Sequence, residues 1–163
     1  RHAVGHASTT KRAEGFLSGI KKAAPDIELV SVDQRGGTSI DEAIQTSENL
    51  LNQFGENIQG VFTPNESTTQ GMLRALDEAG LAGKVAFVGF DTNDALIDAL
   101  KEKKIAALAV QDPFRMGYTA VKNIVAAING EKFEAEVDTG AVLLDLDNID
   151  SEKIRKLLRK PAD

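Results

Sequence analysis

Asn65, Asp91 and Gln111 each close a short apolar run, and each run is followed at once by a helix-like segment. The runs read Gly60-Val61-Phe62-Thr63-Pro64-Asn65, Val85-Ala86-Phe87-Val88-Gly89-Phe90-Asp91 and Ala106-Ala107-Leu108-Ala109-Val110-Gln111. In an open α/β sheet, ligands bind in the crevice outside the carboxyl ends of the strands. The three side chains are therefore expected on one rim. An amide both donates and accepts, whereas a carboxylate only accepts. Such a set suits a neutral, hydroxyl-rich ligand better than a metal or a phosphate. Each residue also has a plainer reading. Asn65 is well suited to cap the helix after it, and Asp91 with Thr92-Asn93 can serve as a loop or cap device. Gln111 is the hardest to explain that way, because glutamine is not a favoured cap.

Ser8, Thr9 and Thr10 precede the first helical pattern, so at least one is expected to cap it, while Thr9 and Thr10 are also candidate ligand contacts. Arg12 falls one turn further on and is expected to pair with a nearby acid. His2 and His6 read as surface residues, since no cysteine or acidic partner completes a zinc site. Other chemistry finds little support. There is no Gly-rich phosphate loop, no Ser/His/Asp set, no pair of acid/base carboxylates, and none of the paired acids after a first strand that would accompany Asp91 as a phosphoacceptor. The chain reads as a binder, not an enzyme, with no cofactor and no metal.

The elements that must hold these residues alternate between strand and helix patterns, which argues for a doubly wound, mainly parallel α/β sheet. A helix is expected over 9–24, a strand over Ile27 to Val32, and a helix after the capping box Ser39-Ile40-Asp41-Glu42. A strand at 58–63 leads to a helix through Met72, Leu73, Leu76 and Ala79 that Gly80 stops. Residues 85–90 are apolar throughout, as in a central strand buried on both faces. After a short helix and the strand at 105–110, Asp112-Pro113 supplies an N-cap with proline at the first helical position. Phe114, Gly117, Tyr118, Val121, Ile124, Val125 and Ile128 are expected to form that helix's core face. Val137 to Leu146 reads as extended, with a terminal helix from about Ser151. The basic residues Lys153, Arg155, Lys156, Arg159 and Lys160 read as its solvated face.

The 163 residues fit one domain. Lys plus Arg number 19 against 25 acidic residues, a net charge of −6, which disfavours nucleic acid. No apolar stretch approaches the roughly 18 residues of a membrane span. Cysteine is absent, which suits an oxidising compartment. The sequence opens at Arg1 without a signal-peptide pattern, so one is expected either to have been removed or never to have been included in this chain. Only Arg1 to Gly5 stand before the first helix, too short and polar for the central strand that opens such a sheet. The chain is therefore expected to lack its first strand and to be a fragment or one lobe of a larger protein. The edges so exposed would invite self-association.

The segments Ala7-Ser8-Thr9-Thr10-Lys11-Arg12-Ala13-Glu14-Gly15-Phe16, Gly60-Val61-Phe62-Thr63-Pro64-Asn65-Glu66, Val88-Gly89-Phe90-Asp91 and Val110-Gln111-Asp112-Pro113-Phe114-Arg115-Met116-Gly117 occur in an order that covers nearly the whole chain. In this the chain resembles the C-terminal lobe of periplasmic sugar-binding proteins of the ribose-binding type, which serve ABC importers. The resemblance implies a flavodoxin-like lobe over residues 1–163. It implies a second, N-terminal lobe that closes on a monosaccharide or polyol, a membrane permease as partner, and a periplasmic or lipid-anchored extracytoplasmic location. It also implies sugar-hydroxyl contacts for Asn65, Asp91 and Gln111. Ribose-binding members carry an arginine where Thr10 stands and a stacking aromatic where Thr38 stands, so the particular sugar is left open. The effector-binding core of a lactose-repressor-type regulator shares the fold and is the alternative; the helix-turn-helix it requires is not in this sequence, and an N-terminal truncation would also remove it.

Overall fold

The computed structural model describes residues 1–55 and 57–158. Arg159 and Lys160 of the basic tail lie outside the described residues. The chain divides into two units, Arg1–Leu108 and Ala109–Asp163. The first holds α1 (Ala7–Ala23), α2 (Ile40–Phe54), β1 (Gly60–Phe62), α3 (Glu66–Glu78), β2 (Ala86–Phe90), α4 (Asp94–Lys101) and the start of β3 (Ala107–Val110). The second continues β3 and adds α5 (Pro113–Ile128), β4 (Val142–Leu144) and α6 (Glu152–Leu157). The strands follow the order β1-β2-β3-β4 in one mainly parallel α/β sheet. Among the described residues no helix is long and apolar enough to cross a membrane.

Local signals fix most helix ends. Ser39 accepts from the Glu42 amide while the Glu42 carboxylate accepts from the Ser39 amide, completing the capping box of α2. Asp112 accepts from the Arg115 amide ahead of Pro113 and so caps α5. Asn93 caps α4 through the Leu96 amide, and Ser151 caps α6 through the Ile154 amide.

The core of the first unit draws on α3, α4, β2 and β3. Leu76, Phe87, Leu96, Leu100 and Leu108 are all fully buried there. Burial of one such side chain contributes about 1.5–3 kcal/mol. In β1 and β2 the register sets Phe62 opposite Val88, and the Thr63 amide donates to the Val88 carbonyl at 3.1 Å. Phe16 of α1 stacks on Phe62 with ring centroids 4.3 Å apart. Gly71 lets α3 close on α2, because a Cβ there would lie 2.6 Å from that of Ala43. A larger residue would force the two helices apart.

Four expectations change. Residues 27–32 form no strand, and Ile27, Leu29, Val30 and Val32 are exposed. A strand exists through its ladder, and none of the described strands pairs with this stretch. The Phe114 to Ile128 face of α5 is also exposed rather than core, and α5 has no buried residue among those described. β2 is not buried throughout: Ala86 is exposed, whereas Phe87 and Gly89 are buried. His2, expected at the surface, is 9% exposed and its ring meets that of His6 at 4.6 Å. Burial and then the neighbouring His6 charge hold the His2 pKa below its ordinary value.

Candidate ligand-binding site

Asn65 and Asp91 stand just beyond the carboxyl ends of β1 and β2, as the sequence leads one to expect. The plainer reading fails for Asn65 and holds for the Asp91-Thr92-Asn93 stretch, where Asp91 turns the chain and Asn93 caps the next helix. Asn65 occupies the N-cap position of α3 but makes no side-chain cap bond. Its Oδ1 accepts from the Thr68 hydroxyl at 2.6 Å, and its Nδ2 donates to the Ser67 hydroxyl at 2.9 Å. One N–H of the amide is thereby committed, to a hydroxyl that can itself donate or accept. The cap of the helix after Asp91 is Asn93. Asp91 has φ 67°, a left-handed conformation that turns the chain sharply out of β2.

Arg12 is the functional candidate that the sequence concealed. From α1 its guanidinium reaches the Pro64 carbonyl at 3.0 Å and the Asp91 carboxylate at 3.5 Å. It lies 3.9 Å over the Phe90 ring, a cation–π contact contributing on the order of 1 kcal/mol. The expected acid partner of Arg12 is thus Asp91, and the pair joins the ends of β1 and β2 to α1. Nothing in local periodicity marks this, because 52 positions separate Arg12 from Pro64.

Thr9 is buried and its hydroxyl donates to the His6 carbonyl at 3.2 Å. Thr10 is half-buried on the same turn. Neither caps α1, nor does Ser8, since the helix already begins at Ala7 with His6 at its N-cap position. Thr38 is exposed; its amide donates to Glu42 Oε2 at 2.9 Å and its hydroxyl to the same atom at 3.4 Å. Hydrogen bonds from the Thr38 and Ser39 amides hold the Glu42 carboxyl below its ordinary pKa. Gln111 belongs to the second unit, half-buried between the end of β3 and the cap Asp112. Among the described residues there is no cluster of three or more His, Cys, Asp or Glu side chains able to hold a metal ion.

A mainly parallel sheet with polar side chains beyond its strand ends defines an α/β domain of the class that receives small ligands at that edge. The chain belongs to the periplasmic binding protein domain family, whose pattern it matches over residues 1–132. It is similar to a ribose import binding protein from Haemophilus influenzae, with 33% identity over 136 residues, 82% of this chain and 44% of that protein. It is also similar to the structure of a carbohydrate transporter solute binding protein from Agrobacterium radiobacter in complex with D-arabinose. There the TM-score is 0.83 at 35% identity, covering 92% of this chain and 50% of the other. An ABC transporter solute binding protein from Bacillus halodurans with bound myo-inositol gives a TM-score of 0.80 at 30% identity, covering 95% and 52%. The chain therefore spans about half the length of these relatives.

Proposed function

We propose that this chain is the C-terminal lobe of a solute-binding protein that captures a monosaccharide or related polyol and delivers it to an ABC permease. The candidate hydroxyl contacts are Asn65 and Asp91 in the first unit, with Arg12 beside Asp91 and Thr9 and Thr10 on the neighbouring turn of α1, and Gln111 in the second. The observation that carries this reading is the Arg12–Asp91 pair at the strand ends. Hydrogen bonds to charged groups are the stronger ones, so the paired carboxylate is the natural anchor for a neutral hydroxyl. Relatives named for ribose import, or solved with D-arabinose and myo-inositol, support a ligand of this class. Thr10 and Thr38, which stand where the ribose-binding type has an arginine and a stacking aromatic, leave the particular sugar open.

In this reading the protein performs no chemistry and needs no cofactor. It works outside the cytoplasmic membrane, free in the periplasm or held there by a lipid anchor. The opposing wall of the cleft belongs to an N-terminal lobe, consistent with a chain spanning half the length of its relatives. Without that lobe, exposed apolar residues such as Val30, Phe114 and Ile128 favour self-association. The test is calorimetry on the full-length protein with the sugar that raises its melting temperature most in a sugar and polyol panel. Asp91→Ala is expected to weaken binding by more than about tenfold, the usual consequence of losing a hydrogen bond to a charged group. Unchanged affinity would remove Asp91 from the site.

A further inference from the structure

We propose that the Thr69 hydroxyl is the positioning group of this site, holding the end of β2 so that Asp91 leaves the strand in its left-handed conformation beside Arg12. The proposal rests on the sugar-binding reading above for its consequence, but not for its geometry. Phe62 faces Val88, and the Thr63 amide bonds the Val88 carbonyl. The amide and carbonyl of Phe90 point to that same side of β2, two residues further on, where β1 has ended. Half-buried backbone groups left there without partners would be costly.

Thr69, in the first turn of α3 and fully buried, meets that need. Its Oγ1 accepts from the Phe90 amide at 3.1 Å and lies 3.1 Å from the Phe90 carbonyl. The same oxygen is 2.8 Å from the Asn65 carbonyl and 2.9 Å from the Thr63 hydroxyl. One hydroxyl thus joins the exits of β1 and β2 to the start of α3, directly beneath Asn65 and Asp91. A threonine bonding back to the carbonyl four residues before it is a common helix feature. That habit accounts for the Asn65 contact and for nothing at Phe90.

Two further observations agree. Gly89 permits the approach, since a Cβ there would collide with Thr69 Cγ2 and come within 2.9 Å of Leu108 Cδ2. The next residue but one, Asp91, has φ 67°, a left-handed conformation that aspartate tolerates better than most residues and that a fixed preceding amide helps to hold. The hydroxyl's single proton is shared between the Asn65 carbonyl at 2.8 Å and the Phe90 carbonyl at 3.1 Å, so its firm hold on β2 is the bond it accepts from the Phe90 amide, one residue before Asp91. Thr69 itself is too deeply buried to meet a ligand.

The test uses Thr69→Val, nearly isosteric but without the hydroxyl, and Thr69→Ser, which retains it, both in the full-length protein. The first measurement is the Asp91 HN–Hα scalar coupling and Cα chemical shift, with hydrogen exchange at the Phe90 amide; it needs no ligand. Thr69→Val is expected to move Asp91 out of the left-handed range and to speed Phe90 exchange, while Thr69→Ser keeps both near wild type. The second is affinity for the best sugar of the panel. Thr69→Val should weaken it about tenfold, and by less than about threefold once Asp91→Ala is already present, because the contact it positions has gone. A folded Thr69→Val protein with unchanged Asp91 parameters, or losses that simply add, overturns the proposal. If Thr69→Val does not fold, Thr69→Ala, which also relieves the contact with Gly89, decides the same comparison. If wild type binds no sugar in the panel, the functional reading fails, and the Asp91 measurement still decides the role of Thr69.

Discussion

Helices α3 and α5 carry similar amphipathic patterns and meet opposite fates. The inner face of α3 buries Thr68, Thr69, Gly71, Met72, Ala75 and Leu76. The corresponding face of α5 leaves Phe114 at 66% exposure, Tyr118 at 62% and Ile128 at 79%. Apolar spacing therefore says that a face is built to be covered, without saying what covers it. The covering layer is a tertiary fact: α2 and β2 provide it for α3, and no described element of its own unit provides it for α5.

The contrast can be broken most forcefully at Leu76. Leu76→Ala should destabilise the 163-residue chain by about 3 kcal/mol in urea unfolding, the typical cost of a core leucine. Val121→Ala on α5 should stay within about 0.5 kcal/mol in the same experiment. Equal losses at the two sites would show that the α5 face is covered in solution. Gly89→Ala tests how tightly the buried face of α3 packs against β2. Forcing a methyl against Thr69 and Leu108 should cost about 1–3 kcal/mol, read as a lower urea midpoint at unchanged m-value.

The smallest effect is expected from acid. The folded-state pKa of His2 lies below its ordinary value of 6.5, so the unfolded chain takes up this proton more readily than the folded chain. Stability supported by neutral His2 is present above about pH 6.5 and declines as pH falls from there toward the folded-state value. Unfolding midpoints at pH 7.5 and 5.5 should differ in that direction, and His2→Gln should narrow the gap. A midpoint that rises on acidification would reverse the assignment of His2 as a buried neutral ring.

What the sequence disclosed divides along the same line as the two helices. The Ser39–Glu42 box and the Asp112-Pro113 start lie within a few residues of what they satisfy, so their types and spacing suffice. Asn65 and Asp91 were legible because a strand end followed by a helix is also a local pattern. Arg12 was not recognised as part of the site, since its partners Pro64 and Asp91 arrive only through packing of α1 against the ends of two strands. Thr69 escaped for a similar reason. Its residue type suggests a helix interior of modest propensity, and only the early end of β1 gives its hydroxyl a second task. Residues 27–32 show the opposite failure: a convincing strand pattern without a neighbouring strand to complete it.

The Arg12–Asp91 pair has one more consequence, for the speed of capture. The carboxylate already has a cation 3.5 Å away, so the local field is that of a dipole and not of a bare anion. A dipole's field falls off faster with distance than that of a single charge, and a sugar without charge has nothing for it to steer. Salt therefore has little long-range attraction to screen. If the proposed role holds, association of a neutral sugar at this site should proceed at nearly the same rate in dilute and concentrated salt.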